Sequence, residues 1–86
     1  MSRQEWSRDY FLGEARAFWE LCGTRRFWKM GDDHRDGAVK GLVYCYMHAD
    51  HGDHLDDDAT ILQAAILNYT CRAAFVDGSR LAEAKR

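Results

Sequence analysis

The chain contains no proline. That absence removes the residue that most firmly breaks a helix, and it argues against a Pro-rich linker or a loop-built scaffold. No apolar run approaches ~20 residues, so no segment is expected to cross a membrane. Cysteine is scarce and odd in number, with Cys22, Cys45 and Cys71 widely spaced. Without a signal-peptide pattern at the N-terminus, a disulfide framework is not expected and a reducing cytoplasm is. An excess of positive charge is also missing: the formal net charge is −2 and the isoelectric point is near 6.0. A generic nucleic-acid binder is therefore not indicated. Nor does the chain carry a P-loop, a dinucleotide fingerprint, a nucleophile elbow or a zinc-protease helix.

What is present is aromatic and unevenly charged. The 86 residues suffice for one domain, and the expected unit is 1–86. A domain this short buries only about 60–65% of the surface its unfolded chain exposes. Three Trp, four Phe and four Tyr compensate in part, since each aromatic side chain buries about 150–250 Å². Residues 1–30 carry six basic and four acidic groups, 31–58 two and eight, and 59–86 four and two. Acidity is thus concentrated in the middle of the chain.

Apolar periodicity predicts an all-α fold: a compact bundle of three main helices, about 3–22, 33–51 and 58–76, with a short C-terminal helical turn. Ser2 and Glu5 have capping-box spacing, and Gly23 supplies a stop after Cys22. On this first helix the apolar arc centres on Phe18 and runs from Trp6, Tyr10 and Ala17 to Leu12 and Trp19. The stretch Thr24–Met30 is either a helical turn or an irregular connection. Asp32, Asp33 or Asp36 would cap the second helix, where Val39, Leu42, Val43, Tyr46 and Met47 follow helical spacing. A strand over 39–47 is the competing reading, and Lys40 and Gly41 spoil its alternation. Gly52 would end this helix, and Asp57 or Asp58 would cap the third. Apolar on nearly every side, the third helix is expected in the middle of the bundle, stopping at Asp77–Gly78.

Several groups of residues are candidates for function. His48, His51 and His54 recur every third residue, with Cys45 three before them. Imidazole and thiolate are preferred zinc ligands, so zinc is the one cofactor considered. Against it, Cys45 projects toward the apolar face and no second ligand pair closes a site; a solvated helix end explains the same residues. The loop lacks the ligand pattern of an EF-hand, with Ile61 in the place of the bidentate Glu. The carboxylates Asp50, Asp53, Asp56, Asp57 and Asp58 exceed what helix capping requires, and with Trp19 and Trp28 they form a candidate surface for a basic protein partner. Glu14, inside an apolar arc, is expected to pair with Arg72, with Asn68 satisfying the remaining bonds; a catalytic carboxylate is the alternative. Gly37, Gly41 and Cys45 form a small-residue seam. Arg25, Arg26, Phe27, Trp28 and Lys29 are a minimal stacking-and-charge patch for single strands, though core packing explains the aromatics as well.

These features favour a non-enzymatic interaction or regulatory protein, of the kind common among phage and mobile-element accessory proteins and inhibitors. A zinc-type metal protein is the alternative. Surplus apolar surface predicts a homodimer, or a docking face for another protein, built on Trp6, Leu12, Trp19 and Trp28.

Overall fold

Ser7 caps the first described helix. Its backbone is extended and its Oγ accepts a hydrogen bond from the Tyr10 N–H at 3.1 Å, capping α1 (Arg8–Cys22). The expected start near residue 3 is displaced because Trp6–Ser7 forms a short strand, β1, and not a helical turn. This structure, a computed structural model, describes the backbone of residues 6–84 and the side chains of 6–79. The proposed Ser2–Glu5 capping box lies outside the described residues.

Gly23 ends α1 by donating its N–H to the Glu20 carbonyl, and the next N–H, of Thr24, donates to that of Leu21, both at 3.0 Å. Thr24 then both donates its hydroxyl to the Leu21 carbonyl and accepts from the Phe27 N–H, which starts α2 (Arg25–Lys29). The undecided connection is thus one helical turn. α3 (Asp32–His48) follows from Gly31, with Asp32 and Asp33 in its first turn, where the helix dipole favours negative charge. It covers 39–47, so the helical reading of that segment holds. α3 stops at His48 because Ala49–Asp50 leaves the helix as strand β2, pairing in parallel with β1 through Trp6–Ala49 and Ser7–Asp50. A 3₁₀ turn over Gly52–His54, entered through Gly52 at φ 55°, leads into α4 (Leu55–Ala84). α4 passes straight through Asp77 and Gly78, the expected stop. Neither residue takes a positive φ there, and one glycine inside a long helix costs only about 1 kcal/mol. The separate C-terminal turn is simply more of α4.

The all-α bundle is present, but a different helix is central. Four of the buried apolar side chains, Phe11, Ala15, Phe18 and Cys22, lie on α1. α1 packs against both α3 and α4; among the described residues α4 contributes only Ala65 to the fully buried apolar set and leaves Leu67 and Phe75 in water. Contacts at both ends show that α1 and α4 run parallel: Arg8 meets Asp58 at one end, and Phe18 meets Tyr69 at the other. α3 runs the opposite way, with Tyr46 beside Phe11.

The inward face of α3 overlaps the expected one and extends to Arg35 and Cys45. Arg35, Leu42 and Cys45 are buried and Ala38 and Ala49 pack beside them, whereas Met47 is exposed. Val39 and Tyr46 also pack against the core, so of the five residues in helical spacing it is Met47 that turns to water. Arg35 is buried as an ion pair with Asp32, its guanidinium 5.1 Å from the Trp28 ring. Trp28 stacks on Tyr69 at 5.5 Å and donates its indole N–H to the Cys22 carbonyl at 2.7 Å. It is therefore a keystone between α1, α2, α3 and α4, half-buried and also lining a surface cleft with Arg72 and Phe75. Phe27 sits beneath it, against Phe18 and Tyr69.

Candidate functional site

The start of α1, the end of α3 and the start of α4 meet at one end of the bundle, where the acidic residues of 50–58 gather. Its carboxylates divide into two kinds. Asp58 is wholly buried, while Asp50, Asp53, Asp56 and Asp57 are exposed.

Asp58 holds a clasp. Arg8 Nε and Nη2 donate to its two oxygens at 2.8–3.1 Å, and His51 Nδ1 donates to Oδ2 at 2.6 Å. The other ring nitrogen of His51, Nε2, lies 2.7 Å from the Tyr46 carbonyl oxygen. A carbonyl and a carboxylate can only accept, so both nitrogens carry protons and His51 is an imidazolium. Burial opposes that charge, but the Tyr46 carbonyl and the Asp58 carboxylate outweigh it and raise the His51 pKa above its ordinary value. For Asp58, the Arg8 hydrogen bonds outweigh burial and, with His51, hold the carboxyl below its ordinary value. Edge contact with Phe11, at 5.4 Å, seals the imidazole from one side. Although a His–Asp pair has the outline of an acid–base dyad, Nε2 is spent on Tyr46 and cannot receive a substrate proton.

The pH dependence of stability follows in sign. The His51 contribution is complete below its unfolded pKa of about 6.5 and is lost as pH rises through its elevated folded value. The Asp58 contribution is complete above about 3.9 and is lost as pH falls through its depressed folded value. Thermal melts should therefore peak between about pH 4 and 6.5 and decline on the alkaline side. In His51→Gln the alkaline decline should flatten; an unchanged slope would show that another group sets it.

The four proposed metal ligands do not converge. His51 is committed to the clasp, and exposed His48 packs its ring 4.1 Å from Tyr44. His54 faces Asp57 at 3.5 Å. Cys45 is buried toward the core, where burial raises its thiol pKa, away from the thiolate a metal binds. Among the described residues no group of three or more His, Cys, Asp or Glu side chains is arranged to hold a metal ion.

Glu14 and Arg72 are not brought together either. Glu14 is exposed on the α3 side of α1, lining a cleft with Trp6, Tyr10 and Cys45, where its carboxylate raises the Tyr10 pKa. Arg72 lies by α2 and donates to Asn68 Oδ1 at 3.1 Å. The apolar arc on α1 is narrower than the sequence indicates, which leaves Glu14 in water. Of the small-residue seam, Gly41 and Cys45 line the same cleft as Glu14.

Trp19 does lie at a candidate surface. It is half exposed and lines a groove of about 500 Å³ between α1 and α4, with Leu12, Ala15, Ile61, Ala64 and Ala65. Sequence reasoning misses the Asp58 clasp. Its one available signal is a cluster of carboxylates larger than caps or solubility need, which conceals a buried member. No protein family, curated protein or solved structure matches this chain.

Proposed function

We propose that this chain is a small non-enzymatic interaction protein that self-associates and docks on a basic protein partner through its acidic end. The observation that carries this reading is the exposed set Asp50, Asp53, Asp56 and Asp57, mounted around the buried Asp58 clasp. Nearby positive charge does not cancel the set: the Arg8 guanidinium is engaged by Asp58, and His54 faces one of the four, Asp57. A fixed cluster of like charge speeds encounter with an oppositely charged surface, most strongly at low salt. The accessory or inhibitor role would follow if that partner normally holds an anion on the same surface.

The test compares the two acidic ends of the molecule. With a partner isolated from the native host, Asp50, Asp53, Asp56 and Asp57 changed together to Asn should slow association at least about tenfold at low salt. Neutralising Asp32, Asp33 and Asp36 at the far end of α3 should change it by less than about threefold. Equal losses from both variants would mean that net charge alone matters, and the assignment of the acidic end would fall.

A further inference from the structure

α4 has a second apolar face, directed away from the core. Leu62, Ala65 and Tyr69 point inward, whereas Thr60, Ala64, Leu67, Cys71, Ala74 and Gly78 are all exposed. Those six positions step by four, three, four, three and four residues, the spacing of a coiled-coil seam, and none is charged. The series reads the same in both directions about position 69. Phe75, at 76% exposure the most exposed large apolar side chain described, lies on one flank of this seam. Ile61 lies on the same flank and opens into the groove lined by Leu12, Ala15 and Trp19.

We infer that this face packs against the α4 of a second copy, antiparallel about a two-fold axis at the level of residue 69, with Phe75 of each copy filling the α1–α4 groove of the other. A two-fold axis sends position n to the level of 138 − n, so Leu67 faces position 71 and Ala64 faces position 74. It also keeps like flank on like flank. Phe75 therefore arrives at the level of residue 63, between Ile61 and Ala65, where the groove is open. An exposed aromatic knob and an unfilled apolar hole thus occupy symmetry-matched places on one surface, as a two-fold interface requires. Small residues at Ala64, Ala74 and Gly78 permit the close approach that seating Phe75 needs.

Charge selects the same orientation. α4 opens with the exposed carboxylates Asp56 and Asp57. Antiparallel packing keeps these acidic starts at opposite ends of the pair and aligns the helix dipoles favourably; parallel packing sets acidic start beside acidic start. Asp50 and Asp53 precede α4 and stay outside the seam. The inference rests on the self-association proposed above and supplies its geometry.

The experiment joins light scattering to cross-linking on the full chain. The dimer should scatter at twice the 10.0 kDa chain mass. Leu67→Cys, with Cys71 retained, should form an intermolecular disulfide readily under mild oxidation, because the paired positions are level. The double variant Leu67→Cys/Cys71→Ser should not, because positions 67 of the two copies are offset by about 6 Å along the helix, which puts their Cα atoms beyond the roughly 7 Å that a disulfide spans. Cys22 and Cys45 are buried and do not compete. Phe75→Ala should weaken the dimer at least tenfold while leaving helical content unchanged. A monomer at every concentration would overturn both this inference and the self-association reading. A dimer indifferent to Phe75→Ala, or one in which the double variant still cross-links, would overturn the antiparallel seam and leave self-association standing.

Discussion

Asp58→Ala should destabilise the fold by about 3–5 kcal/mol, the usual result of removing one member of a buried ion pair. For a domain of this size each kcal/mol moves Tm by roughly 4–8 °C, so the melting temperature should fall by at least about 12 °C. The cause is not simply the loss of attraction. Arg8, at 30% side-chain exposure, can turn to water, but His51, at 5%, cannot. Without the carboxylate, Nδ1 of His51 is left buried beside Phe11 with no acceptor, and the ring must lose its proton or open the loop. Asp58→Asn should cost less, because the amide oxygen still accepts from one partner. Differential scanning calorimetry of both variants measures the ranking; equal and small shifts would show that the clasp contributes little.

Phe27→Ala should cost about 3–5 kcal/mol, a large loss for a residue in a five-residue helix. Phe27 is buried to 1% exposure and makes edge contacts with Phe18, Trp28 and Tyr69, so its removal opens a hole where α1, α2 and α4 meet. Too short to persist alone, α2 depends on that anchor. The expected sign is a lower urea midpoint together with altered near-ultraviolet dichroism, since Trp28 and Tyr69 lose their neighbour. Replacement of exposed Phe75 by Ala serves as the control, with little effect on the monomer midpoint.

Helical periodicity is readable in the sequence because it is local. Phe11, Ala15, Phe18 and Cys22 recur every three to four residues, and α1 buries them all. The identity of the central helix is not readable in the same way. α4 is apolar on two opposite faces, and periodicity counts such residues without saying which face meets the core. Two charged residues also escape, for one reason. Arg35 and Asp58 look like surface residues in the sequence, yet both are buried by partners that only folding brings near: Trp28 for Arg35, and Arg8 for Asp58. The pairing of Glu14 with Arg72 fails by the converse route, since two residues that look out of place on their own helices face different neighbours. Of the candidate surface residues, Asp50, Asp53, Asp56, Asp57 and Trp19 are exposed, Asp58 is wholly buried, and half-buried Trp28 ties the helices together.

The Arg8–Asp58 bridge joins positions 50 residues apart in the chain. β1 and β2 likewise pair across a long stretch of intervening chain, from Trp6 to Ala49. Closing spans of that length sacrifices more chain entropy than forming a local helix–helix contact. The α1–α2 turn, with Phe18 and Phe27 close in sequence and in space, is therefore the economical place for folding to begin. The acidic end, which needs those long closures, is expected to complete last. Until then its carboxylates belong to a supple chain, and the geometry a partner would recognise exists only in the finished molecule.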